Sequence, residues 1–360
     1  MKLVKPVLIL TSLILIIGAA FSYWVYRSVH TPNTHDKAEQ YITIEKGTPP
    51  NEIVTKFVSE GIIPSRIPTI VYLRTFGNPS ALKAGEYQFS SPITPLQVIA
   101  ELEKGEERTT KITIPEGYTR FDIAKRIVER FPQEPPVDEK QVLAFMDDTS
   151  LIQDIAPQAK NLEGYIYPST YSFPREEKPD AIIKAMVTQF RKIWKPEWTT
   201  RAQELGRSPQ EIVTIASLVE TESKIDAERP TVASVIYNRL SKGIPLGLDQ
   251  TAVYVAKMQN RWDGTINKSD LEAASPYNTR RYAGLPPGPI SSVSESAVNA
   301  ALNPAQTDYI YYVLNVSAND GSHLFFSSAS EFERAKVEYQ RWLEQQRREK
   351  RAAEAQQQQQ

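Results

Sequence analysis

The chain contains no cysteine, and only three of its 360 residues are histidine. Without a thiol there is no disulfide, no thiolate-bound zinc or iron–sulfur cluster and no cysteine nucleophile. The absence does not by itself separate cytoplasm from periplasm. His30 and His35 lie close together near the N-terminus, so a histidine-rich metal site is not expected, and a Ser-His-Asp triad would have to use His323. Excess charge is also missing: 42 Lys and Arg face 43 Asp and Glu, for a net charge of −1. Nucleic acid and anionic surfaces both favour a basic excess, so neither is expected as the main partner. There is no G-x-S-x-G elbow, no G-x-x-x-x-G-K-[ST] loop and no G-x-G-x-x-G fingerprint, which weighs against serine hydrolase, nucleotide and nicotinamide chemistry. No metal or cofactor is expected. Carboxylates, hydroxyls and amides remain.

What is present begins with an uncharged run at residues 7–25. At about 1.5 Å per residue it spans roughly 28 Å, close to the thickness of a bilayer's hydrocarbon core. Lys2 and Lys5 precede it, predicting a cytoplasmic N-terminus (residues 1–6), a membrane helix over 7–26 and the bulk of the chain in the periplasm. Tyr23, Trp24 and Tyr26 form an aromatic belt at the far end. Gly18 and Ala20 suit a signal-peptidase site, but the apolar run continues past them, which favours an uncleaved anchor. With 41% apolar and 24% charged residues, the remainder can bury a core, and its length suits two or three domains.

Residues 27–40 read as a polar linker. Ile42-Thr-Ile-Glu-Lys-Gly47 and Ile112-Thr-Ile-Pro-Glu-Gly117 then form an echo, each predicting a short strand, a glycine turn and an amphipathic helix. The pattern is similar to the LysM type of small glycan-binding modules, and residues 41–131 are expected to form such a region. Thr94 and Pro95 mark the start of another helix between the copies. A Pro-rich break at residues 132–136 opens a connecting segment over 132–157. A larger α+β domain is expected over 158–345, with Phe332, Val337, Tyr339 and Trp342 docking its last helix. The polar tail at 346–360 is expected to be disordered.

The densest chemical signal is residues 208–224. Ser208 and Glu211 have capping-box spacing, and Pro209 suits the first turn. Ile212, Ile215, Ala216 and Val219 define a buried stripe. At about 100° per residue, Glu222 falls about 60° from the centre of that stripe and Glu220 about 100°, further towards solvent. A carboxyl continuing an apolar face is partly desolvated and stays protonated near neutral pH, as a general acid must. The alternative is an exposed or Arg-paired residue capping the stripe. A second helix follows, with Val232, Val235, Ile236 and Leu240 in its core and Gly243 at its end, and the hinge brings Glu228 towards Glu222. Glu228 can act as a second carboxylate or pair with Arg229 or Arg239, while Asn238 and Arg239 can read sugar hydroxyls. Tyr277 and Asn278, on rigid Gly- and Pro-rich loops, suit a sugar cleft. The 17 tyrosines, half of all aromatic residues, agree with such a surface.

Taken in order, Leu162-Glu-Gly-Tyr-Ile-Tyr-Pro-Ser-Thr-Tyr171, Ile215-Ala-Ser-Leu-Val-Glu-Thr-Glu222, Glu228-Arg229, Val232-Ala-Ser-Val-Ile-Tyr-Asn-Arg-Leu240, Tyr277-Asn-Thr279, Gly284-Leu-Pro-Pro-Gly-Pro-Ile290 and Gly321-Ser-His-Leu-Phe325 resemble the YceG-like endolytic murein transglycosylases. The resemblance implies a membrane anchor, a LysM-like region and a catalytic domain that cuts nascent peptidoglycan beside the synthases. It also implies Glu222 as the catalytic acid, leaving 1,6-anhydro-muramic acid ends. Glu163, Glu228, Asn238, Arg239, Asp249, Tyr277 and Asn278 are the substrate-binding candidates. The chain departs from the family pattern at Leu246-Gly-Leu-Asp249-Gln-Thr251, Ser291-Ser-Val293 and Glu331-Phe332. A hydrolysing muramidase pairing Glu222 with Glu228, Glu163 or Asp249 is the alternative enzyme, and a non-catalytic glycan-binding scaffold the alternative from another class. An aminodeoxychorismate lyase-like activity is disfavoured, since it needs a pyridoxal cofactor and a cytoplasmic substrate.

Overall fold

The structure, a computed structural model, describes residues 4–45, 47–105 and 109–357. Lys2, part of the positive flank, lies outside them, as do Lys46 of the first repeat copy and residues 358–360 of the expected tail. The chain divides into two compact units, Met1–Thr109 and Thr110–Gln360.

The first unit begins with α1 (Val4–His30), whose stretch Ile9–His30 is long and apolar enough to cross a membrane. Leu15 and its apolar neighbours are exposed, whereas Val25 and Val29 are buried. The expected linker therefore begins as helix, and its next residues are tied down. Asn33 pairs with Ile93 as an isolated β-bridge and donates its side-chain amide to the carbonyls of Gly61 (2.7 Å) and Ile62 (3.0 Å). A two-stranded antiparallel sheet of β1 (Ile42–Ile44) and β2 (Gly85–Tyr87) packs with α2 (Pro50–Ser59), α3 (Arg66–Thr75) and α4 (Pro95–Lys104). Ile42, Ile44, Ile53, Phe57, Tyr87, Phe89, Val98 and Leu102 fill its core. Thr94 caps α4 in a full capping box, as its sequence predicts.

The second copy of the echo does not join the first. β3 (Thr109–Ile114) pairs with β4 (Ser169–Pro174), and α5 (Arg120–Arg130) buries Ile123, Ala124 and Ile127 in the core of the second unit. The expected boundary at 131 therefore moves to 109. Two similar βα segments carry no information about which distant strand each will pair with, and pairing decides the unit.

The second unit is predominantly helical, with α6 (Glu139–Phe145), α7 (Pro179–Ile193), α8 (Pro196–Glu204), α9 (Pro209–Glu222), α10 (Arg229–Ser241), α11 (Asp249–Met258), α12 (Lys268–Leu271) and α13 (Glu295–Leu302). The mixed α+β class is as expected, with small sheets only. A hairpin of β5 (Tyr311–Leu314) and β6 (His323–Phe326) follows, then α14 (Ala329–Gln357), so helix replaces the expected disorder up to Gln357. Phe332 stacks on Tyr311 with ring centroids 4.8 Å apart, while Val337, expected to dock, is exposed.

α9 is the central helix, packed by α8, α10, α11 and α13. Its capping box is formed, with Ser208 Oγ accepting from Glu211 N–H and Glu211 accepting from Ser208 N–H. Every residue from Ile212 to Glu220 is buried. A helix surrounded on all sides has no solvent face, so a reading built on one apolar stripe holds only for the stripe itself.

Candidate active site

Two acidic residues close α9, and the structure places them in different settings. Glu220, expected to point towards solvent, is only 8% exposed. Its Oε1 accepts from Arg229 Nη2 at 2.7 Å and its Oε2 from the backbone N–H of Ser294 at 2.8 Å. Arg229 also donates to Ser294 Oγ (2.6 Å), which caps α13. One buried ion pair thus ties the C-terminus of α9 to the N-termini of α10 and α13. Both carboxylate oxygens of Glu220 are engaged as acceptors within the packed core of the unit.

Glu222 is half-buried and makes a different set of contacts. Protein atoms crowd its carboxyl while part of the residue stays open to solvent. Tyr312 of β5 donates its hydroxyl to Glu222 Oε2 at 2.8 Å. Burial pushes the carboxyl from its ordinary value of 4.5 up to about 7. The charge of Asp249 acts in the same direction, whereas the Tyr312 hydrogen bond and the charge of Arg239 oppose it. Near neutral pH the group therefore holds a transferable proton, the condition for general acid catalysis.

Glu228 turns to the hairpin instead of to Arg229 or Arg239. It accepts from the backbone N–H of His323 at 2.8 Å, and His323 Nδ1 lies 2.9 Å from its other oxygen. A carboxylate can only accept, so the Nδ1 position carries the proton. By the hairpin register, His323 and Tyr312 share one face, and their rings meet edge to face with centroids 5.4 Å apart. Glu222 and Glu228 thus contact neighbouring side chains of one hairpin. Tyr312 was not legible in the sequence: it lies in an aromatic strand, and only the packing of β5 beside α9 brings it to Glu222.

The other sequence candidates occupy three settings. Arg239 lies close enough for its charge to act on Glu222, and it donates to the carbonyls of Ile310 (2.6 Å) and Leu246 (2.7 Å). Asn238 donates its amide to the carbonyls of Thr307 (2.8 Å) and Tyr309 (2.9 Å), holding the approach to β5. Asp249 opens α11, is exposed, and pairs with Arg280 at 2.5 Å.

Glu163 lies beneath the N-terminus of α5, accepting from Arg120 N–H with both oxygens (3.1 and 3.0 Å) and from the Tyr254 hydroxyl. Burial raises its carboxyl to about 7, against the hydrogen bond from Arg120. The charges acting on it are those of Arg120 and Asp122, a different electrostatic neighbourhood from that of Glu222. Tyr277 is half-buried beside Tyr254, with ring centroids 5.1 Å apart.

Asn278, expected to read hydroxyls, is fully buried. It donates to the carbonyls of Leu271 (3.0 Å) and Ala273 (2.9 Å) and accepts from Arg280 N–H (3.1 Å). Its amide shapes the loop and faces no solvent, which corrects that expectation. Thr279 beside it accepts from Leu248 N–H (3.1 Å), docking the loop on the start of α11. The 284–290 loop is fixed on α9, where Ile290 N–H donates to Ser217 Oγ at 3.0 Å. It also presses on Gly164, where a Cβ would come within 2.5 Å of Pro289 and φ is +84°. Of the motif departures, Ser291 is buried with its hydroxyl on the Ser217 carbonyl (3.3 Å), and Ser292 exchanges backbone hydrogen bonds with residues 117 and 118. Among the described residues no group of three or more His, Asp and Glu side chains is arranged to hold a metal ion.

Comparison with known proteins matches residues 42–338 to the YceG-like family. The chain is 33% identical over 345 residues to the endolytic murein transglycosylase of Bacillus subtilis, covering 90% of this chain and 91% of that protein. It is 28% identical over 328 residues to the endolytic murein transglycosylase of Streptococcus pneumoniae D39, spanning 83% of this chain but 59% of the relative. The crystal structure of a YceG-like protein from Listeria monocytogenes superposes with a TM-score of 0.55 at 30% identity, covering 82% of this chain and 97% of that one. Matched over most of its length, and carrying the motif residues on one helical unit, the chain belongs to the YceG-like family.

Proposed function

We propose that this chain is a lytic transglycosylase that cuts peptidoglycan glycan strands internally, between N-acetylmuramic acid and N-acetylglucosamine. The observation that carries the reading is Glu222, a half-buried carboxyl at the end of the central helix that burial keeps protonated near pH 7. The names of the relatives from B. subtilis and S. pneumoniae supply the substrate class. Glu222 donates its proton to the glycosidic oxygen as the bond to the muramic acid C1 breaks, and positive charge develops at C1. The carboxylate then takes the proton of the muramic acid 6-hydroxyl, whose oxygen closes on C1. The proton returns to Glu222, no water is consumed, and the strand ends in a 1,6-anhydro ring. Arg239, Asp249 and Tyr277 line the approach as substrate contacts. Glu163, Glu228, Asn238 and Asn278 act through the backbone and side chains they hold. The first unit supplies a LysM-like glycan-binding surface, and α1 anchors the chain with its bulk outside the cytoplasm, where nascent strands emerge from the synthases.

A hydrolytic reading rests on Asp249, an exposed carboxylate whose charge acts on Glu222. Product mass separates the two. Purified glycan strands treated with the full-length protein are expected to yield anhydro ends, lighter by one water than reducing ends, with mean strand length falling early. Glu222→Gln is expected to lower turnover by at least about 10²–10⁴, the loss typical of a missing general acid. Reducing ends as the main product would establish hydrolysis. Near wild-type turnover by Glu222→Gln would exclude Glu222 as the acid.

A further inference from the structure

The hairpin β5–β6 carries a group that this mechanism has not yet used. Tyr312 is the side chain that donates to Glu222, and its hydroxyl reaches Oε2 at 2.8 Å. Its ring is fixed in turn, with His323 meeting it edge to face at 5.4 Å and Phe325 lying at 5.9 Å. His323 cannot swing away, because Glu228 accepts from both its backbone N–H (2.8 Å) and its ring Nδ1 (2.9 Å). Glu228, at the N-terminal edge of α10, thereby braces a residue that grips the end of α9.

We infer that Tyr312 is a positioning residue for Glu222, held by the Glu228–His323 pair, and that it selects Oε1 as the oxygen that delivers the proton. With Oε2 already accepting the phenol hydrogen, the acid proton of a neutral carboxyl resides on Oε1, which fixes the direction of transfer. The phenol remains a donor throughout, since burial and the neighbouring Glu222 charge push it well above its ordinary range. A neutral carboxyl accepts from it weakly. The carboxylate formed as the proton leaves accepts more strongly, because hydrogen bonds to ionised groups are shorter and roughly twice as strong. The contact is thus tighter in the transition state than in the ground state. Such an interaction accelerates the chemical step without strengthening substrate binding.

This inference rests on the reading of Glu222 as the acid, and Tyr312→Phe tests it. The substitution keeps the ring and its packing and removes one oxygen. The charged and titratable groups facing Glu222 are Asp249 on α11, Arg239 on α10 and Tyr312 itself, with His323 and Glu228 behind Tyr312. All but Tyr312 remain in the variant. On full-length protein acting on glycan strands, we expect kcat to fall about tenfold with KM unchanged. We also expect the alkaline limb of the kcat/KM profile to move up by about one pH unit, since the carboxylate has lost a donor. A purely structural role for the hydroxyl would move the melting temperature and leave the profile in place. If Glu222→Gln is inactive while Tyr312→Phe keeps the wild-type profile and kcat, the positioning role is refuted and the acid assignment stands. If Glu222→Gln is active, the acid assignment fails and the inference falls with it.

Discussion

Glu220 and Glu222 are two residues apart, yet one is locked in a buried ion pair and the other is the acid proposed above. Helical phase placed Glu222 on the flank of the apolar stripe, and its burial agrees with that placement. The same phase put Glu220 towards solvent, where it does not lie, because α9 is enclosed and its outer side carries the Arg229–Ser294 network. A single-helix pattern records how apolar a face is, not what covers a polar one. The distinction has a stability consequence. Arg229→Met removes the partner of a buried carboxylate and is expected to lower the unfolding free energy by about 3 kcal/mol, read by chemical denaturation. A loss below about 1 kcal/mol would mean that Glu220 finds solvent or another donor. Tyr312 shows the limit of sequence reasoning at this scale. Its partner is 90 positions away, and nothing in Tyr311-Tyr-Val-Leu314 marks one phenol as functional and its neighbour as packing for α14.

Elements were more legible than their partners. The capping signals at Thr94 and Ser208 and the glycine stop after α10 each correspond to an observed helix end, because caps are local chemistry. Strand pairing is not local, which is why the second βα copy was grouped with the first and in fact packs with β4. The longest apolar element, α1, shows both features. Its exposed span was legible as a continuous uncharged run, whereas the burial of Val25 and Val29 was not, since Val25 read as the end of the membrane helix and Val29 as part of a polar linker. On the proposal that α1 anchors the chain, the burial of its last turns in a folded core holds that core close to the bilayer. With the cationic flank at the N-terminus, a reporter that folds only outside the cytoplasm, fused after Gln360, is expected to be active. An inactive reporter, alongside a cytoplasmic reporter that works in the same position, would reverse the orientation.

At the scale of the whole molecule, the carboxyl proposed as the acid is also a thermodynamic liability. Glu222 titrates near 7 in the folded chain against 4.5 for an unperturbed carboxyl, and Glu163 does the same. Between those values the folded state holds protons that the unfolded chain has released, so raising the pH favours unfolding. The stabilisation is fully present below about pH 4.5 and is lost as the pH rises through 7. Asp122 and Glu211, whose carboxyls are held below their ordinary values, act in the opposite sense at lower pH. Comparing a variant with the wild type at each pH cancels their contribution. Glu222→Gln removes one titrating group and keeps the side chain's size. Thermal or chemical unfolding of the full-length protein in detergent should therefore fall less steeply with pH in the variant. The difference is at most one proton, or about 1.4 kcal/mol per pH unit, and is confined to the interval from pH 4.5 to 7. Because the stability lost to Glu222 is the same desolvation that makes it an acid, the variant should be inactive and, at pH 8, more stable than the wild type. Parallel stability curves for the two proteins would show that Glu222 is ionised at neutral pH, and would remove the proton on which its catalytic role depends.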